Sequence, residues 1–86
     1  MQVSIPGQLY DYTRGRTRVQ ASGIDVGEVL SDLDRQFPGI RFRIVDEQDR
    51  IRQHIRIFVN DDQAPDLRTR VGKNDKVMIF GALSGG

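Results

Sequence analysis

The chain has 86 residues, a formal net charge of +1 and no cysteine. That length holds one domain with a small core, and the missing thiols exclude disulfides, thiolate metal sites and a cysteine nucleophile while suiting a reducing cytoplasm. Balanced charge argues against nucleic acid as the main partner, and there is neither a run near the ~20 apolar residues of a membrane span nor a secretion signal at Met1.

Val3 and Ile5 alternate with Gln2 and Ser4, the period of a half-buried strand, and Pro6-Gly7 interrupts it. Leu9 resumes the inward face, Asp11 to Gly15 reads as a turn, and Thr17, Val19 and Ala21 mark a second strand paired antiparallel with the first. The main helix follows. Asp25 is its N-cap, Glu28 completes a capping-box pair, and Ile24 and Val29 stand at staple positions. Val26, Val29, Leu30, Leu33 and Phe37 share one face; Ser31, Asp32, Asp34 and Arg35 fall mostly on the other. Pro38-Gly39 ends the helix.

Ile40 to Arg50 fits either a strand, through Ile40, Phe42 and Ile44, or one helical turn, with Asp46 to Asp49 as an exposed loop that lacks the spacing of a calcium loop. Ile51, Gln53, Ile55, Ile57 and Val59 read as one face of a long strand, with Phe58 on the other face. Asn60 to Gln63 turns the chain, Leu67 and Val71 anchor the return, and Gly72-Lys73-Asn74-Asp75 is a tight turn. Val77 to Leu83 is a last, central strand, apolar on both faces in Val77-Met78-Ile79-Phe80. This order predicts an α+β fold: a mixed four- to five-stranded sheet with one main helix on one face, first and last strands parallel at its centre, the β-grasp arrangement. Residues 1–82 form the domain and 83–86 a tail ending Gly85-Gly86. Without a Cβ the two glycines fit a narrow channel, and four extended residues reach roughly 13–14 Å.

Five pieces, in order, carry a resemblance: Val3-Ser4-Ile5-Pro6, Val26-Gly27-Glu28-Val29-Leu30 with Leu33, Ile57-Phe58-Val59-Asn60-Asp61, Gly72 to Val77, and the terminal Gly85-Gly86. Over essentially its whole length the chain resembles the MoaD/ThiS-like sulfur carriers, a ubiquitin-like β-grasp family. The long Ile40–Arg50 segment is nearest the molybdopterin-type and cysteine-biosynthesis-type carriers. Leu83-Ser84 and Phe80-Gly81 depart from the family's usual tail.

The resemblance implies that a ubiquitin-activating-type adenylating enzyme, using ATP, converts the carboxylate of Gly86 to an acyl adenylate. A sulfur donor then displaces AMP, and the resulting thiocarboxylate gives its sulfur to a biosynthetic enzyme serving molybdopterin, cysteine or another sulfur-containing metabolite. The carrier binds no cofactor and no metal and is not itself an enzyme. Ser84 and Gly85 enter partner sites with Gly86, and Phe58, Phe80, Leu83 and Leu9 are the candidate docking residues. The alternative is a protein modifier conjugated through Gly86 to target lysines. A third is a binding module whose tail is idle. Arg14, Arg16 and Arg18 form a basic run that either faces solvent or steers an acidic partner. His54 is a surface residue on this reading.

Overall fold

The alternation of Val3 and Val19 with polar neighbours does produce paired strands. In the computed structural model, which describes residues 1–81, β1 (Gln2–Ser4) lies between β2 (Arg18–Gln20) and β5 (Lys76–Gly81). β1 and β2 run antiparallel, with Val3 opposite Val19; β1 and β5 run parallel, with Val3 opposite Val77. β3 (Ile55–Val59) pairs antiparallel with β5, and the two-residue β4 (Asp62–Gln63) closes the order β2-β1-β5-β3-β4. The expected β-grasp topology is present, with five strands.

Helix α1 (Val26–Gln36) begins at Asp25, whose Oδ1 accepts the Glu28 N–H at 2.8 Å. This satisfies one of the four free donors of the first turn. The Glu28 carboxylate reaches back to the N–H of Ile24, one residue before the cap, at 3.1 Å. The expected staple does not form in full, because Ile24 is 56% exposed. Its carbonyl instead accepts the Val71 N–H, which draws the residue onto the return segment.

Val26, Val29, Leu30 and Leu33 are buried against the inner sheet face of Val3, Ile57, Val77 and Ile79, and Phe37 packs at the edge of this core. Burying each large side chain stabilises by about 1.5–3 kcal/mol. Gly23 sits where the chain crosses the helix start: a Cβ there would lie 2.7 Å from the Val29 nitrogen. Asp32, expected largely with the outward face, is buried. It pairs with Arg35 and accepts the Ser22 N–H at 3.0 Å, so it ties α1 to the β2–α1 connection.

The ambiguous segment folds as a short helix, α2 (Ile40–Ile44). Ile40, Ile44 and Val45 enter the core while Phe42 is 59% exposed, stacked under the Arg52 guanidinium at 4.7 Å. The long strand expected from Ile51 is shorter than its alternation suggests. Ile51 makes only an isolated bridge with Val45, the Ile55 N–H turns back to the Arg52 carbonyl at 3.0 Å, and Gln53 is exposed. A turn at Gln53-His54 thus interrupts a pattern whose period continues through it.

At the end of the sheet where β5 begins, Asp75 locks two turns together. Its carboxylate accepts the Gly72 N–H at 2.6 Å and the Asn60 side-chain N–H at 3.0 Å. The first of these bonds, then the second, holds its pKa below the usual carboxylate range. A depressed carboxylate pKa contributes stability that is present above the unfolded value and is lost as pH falls through the folded one. The melting temperature is therefore expected to fall more steeply below about pH 4 in the wild type than in Asp75→Asn. Superimposable pH profiles of the two chains would contradict this.

Candidate functional site

β5 is the strand from which the last five residues, Ala82 to Gly86, continue. The candidate site residues Leu83, Ser84, Gly85 and Gly86 lie outside the described residues. What the structure places is the root of that segment and the surface beside it. Gly81, the final residue of β5, stands opposite Ile55, and Phe80 stands opposite Arg56. On the core side of Gly81, the space a Cβ would fill is taken by the amide of Gln8. Gln8 belongs to the 3-10 helix Gly7–Leu9, which follows Pro6. A side chain at position 81 would have to displace it.

Because Val77 and Ile79 point into the core, Met78 and Phe80 point out of the sheet. Phe58, on the outward face of β3, stands opposite Met78. Phe58 and Phe80 meet edge to face, with centroids 5.6 Å apart and planes at 83°, a favoured aromatic geometry. Phe80 is 49% exposed and Phe58 half-buried, so the pair forms an apolar patch on the outward sheet face, with Phe80 next to the last residue of β5.

Two of the four candidate docking residues are thereby brought together and a third, Leu83, is undescribed. The fourth is corrected: Leu9 is 2% exposed and belongs to the core. The 3-10 turn that follows Pro6 keeps it inward, so it cannot present a docking surface. Met78 was read only as part of an apolar run; the inward pair Val77 and Ile79 is the signal that puts it beside Phe58. Arg56 falls on the outer face of β3 by the alternation that buries Ile55 and Ile57, but its position opposite Phe80 depends on strand register, which one strand's sequence does not carry.

His54 is exposed, as expected. Asp46, in the loop after α2, has its pKa lowered chiefly by the Arg50 N–H at 3.0 Å, a turn-forming bond. Among the described residues no group of His, Cys, Asp and Glu could hold a metal ion, and no helix is long and apolar enough to cross a membrane.

Residues 3–86 match the ThiS family. The chain belongs to the ThiS family. The sulfur carrier protein CysO of Mycobacterium tuberculosis (strain ATCC 25618 / H37Rv) is 36% identical over 89 residues, which span 98% of this chain and 96% of that protein. A chain of the Amycolatopsis orientalis BexX/CysO complex superposes with a TM-score of 0.91 at 33% identity, covering 99% of this chain and 98% of its own length. SAMP1 from Haloferax volcanii superposes with a TM-score of 0.78 at 25% identity, over 100% of this chain and 98% of its own. The resemblance drawn from the motifs therefore holds across the whole chain, and the ubiquitin-like fold is shared with these neighbours.

Proposed function

We propose that this ThiS-family chain is a sulfur carrier that works through the carboxylate of Gly86. A free carboxylate, ionised at neutral pH with a pKa near ~3.5, is a poor electrophile. Transfer of AMP from ATP, with loss of pyrophosphate, turns it into an acyl adenylate whose leaving group is AMP. The terminal sulfur of a protein persulfide then attacks the carbonyl carbon and expels AMP. A second thiol cleaves the S–S bond, taking the donor cysteine into a disulfide and leaving a thiocarboxylate on Gly86. Hydrolytic or nucleophilic release of that sulfur in a biosynthetic enzyme restores the carboxylate.

The adenylating enzyme brings the ATP; the carrier binds no cofactor of its own and is a protein substrate rather than a catalyst. Its place is the cytoplasm, where ATP and reduced thiols are supplied. The observation that supports this reading is the full-length likeness to CysO, with all five motif pieces in one order and Gly85-Gly86 last. By the same likeness, cysteine biosynthesis is the favoured destination of the sulfur. The apolar Phe58–Phe80 pair beside the tail root gives the enzymes a surface to grip.

The likeness to SAMP1, a small archaeal modifier protein, favours a second reading in which a target lysine amine attacks the same adenylate. Intact-mass spectrometry separates the two. The protein is incubated with the adenylating enzyme of the same cell, ATP and a persulfide donor. A mass gain equal to one sulfur replacing one oxygen supports the carrier. An unchanged carrier mass, with conjugates of higher mass in cell extract, supports the modifier.

A further inference from the structure

The charges on this sheet are sorted. Reading the strand register outward from the core, the charged residues at outward-facing positions are Arg18, Arg56 and Lys76, all cations. None of the chain's 12 acidic residues stands at such a position, although the net charge is only +1. The carboxylates lie in α1, in the loops and on the core-side phase of β4. Neither Arg18 nor Arg56 forms an ion pair among the described residues; the pairs that do form involve Arg35, Arg41, Arg50 and Arg68.

A recess of about 330 Å³ opens at the edge of β3, where Arg56 is the outward-facing strand residue that reaches it. Its floor is aliphatic, from Ile51, Ile55, Ile57 and Ala64, and Arg52 and Arg56 line it. Both guanidinium groups are held by backbone carbonyls. One Nη of Arg56 donates to Gln53 at 2.7 Å and Ile55 at 3.0 Å, and Nε of Arg52 donates to Phe42 at 2.8 Å. A guanidinium has five N–H donors in a fixed fork. These bonds fix its direction and leave further donors for a carboxylate, the geometry in which arginine binds acids best.

We infer that the enzyme that activates the C-terminus meets this face with an acidic rim: an apolar pocket for Phe58 and Phe80, a carboxylate entering the recess at Arg52 and Arg56, and a further acid reaching Arg18. This rests on the carrier reading and adds the chemistry of the partner surface. Arg18 and Arg56, which form no ion pair among the described residues and share the outward face with an exposed aromatic pair and no acid, match an apolar site with an anionic border and would repel a basic one.

The test is the rate of carrier adenylation by that enzyme, measured against carrier concentration at low and at high salt. Arg56→Glu and Arg18→Glu alter exposed side chains outside the core. Each is expected to raise KM about tenfold at low salt with little change in kcat, and the wild-type KM is expected to rise with salt. Arg68→Glu, on an exposed loop away from the sheet face, is expected to behave as wild type. The inference is overturned if Arg56→Glu keeps the wild-type KM, or if Arg68→Glu is impaired as much. Failure of the carrier reading looks different, because then the wild-type chain gains no sulfur under any condition.

Discussion

A chain lacking Gly85 and Gly86 is expected to accept no sulfur at all while melting at the wild-type temperature. The buried core runs from Val3 to Ile79 and draws on β1, β2, α1, α2, β3 and β5. Gly85 and Gly86 carry no side chain to bury, so their removal is expected to leave these contacts in place. The chemistry, by contrast, loses its address. Shortening the chain moves the carboxylate two residues nearer the body, roughly 7 Å of extended reach. It also ends the chain on Ser84, whose side chain a glycine-sized channel excludes. Effective catalysis tolerates misplacement of the reacting atom by about 1 Å only at a cost near a hundredfold, so a shift of this size removes the reaction. Intact-mass spectrometry for sulfur and calorimetry for the melt check the two halves. Loading of the shortened chain at the wild-type rate would return the tail to an idle terminus.

The second large effect is on stability. Leu30→Ala is expected to destabilise the domain by about 2–5 kcal/mol. Leu30 is fully buried in α1, and its removal leaves a cavity between the helix and the inner sheet face. A domain of this size has roughly 5–13 kcal/mol in all. The substitution thus consumes a large share of it, and chemical denaturation would show a lower midpoint with little change in slope. A loss under ~1 kcal/mol would mean that the helix is not the element closing the core.

The helix and the central strand were legible because their signals are local. An aspartate cap, a glutamate three residues on and apolar residues at helical spacing all sit in or beside α1, and the apolar run Val77-Met78-Ile79-Phe80 announces β5 as a central strand. Elements stay open, or run too long, where the same local pattern serves two geometries. Ile40, Phe42 and Ile44 alternate like a strand, yet Ile40 and Ile44 also lie one helical turn apart, and in five residues tertiary packing decides. Ile51 and Gln53 continue the period of β3 through a turn that Arg52 and Ile55 close by a backbone bond.

Of the candidate site, strand parity places Phe58 outward, whereas Leu9 is inward as its position after the first strand suggests, and that burial removes it from the docking set. Met78 and Arg56 join the patch only through pairing between strands far apart in sequence. Gln8 filling the space beside Gly81 belongs to the same class: two residues at opposite ends of the domain, each unremarkable alone.

Tandem mass spectrometry on the sulfur-loaded protein tests the central claim most directly, run beside a chain whose last residue carries an amide in place of the carboxylate. The account predicts that the added sulfur is found on the carbonyl of Gly86 in the natural chain and nowhere in the amidated one. Sulfur on any other residue, or uptake by the amidated chain at the natural rate, would contradict it.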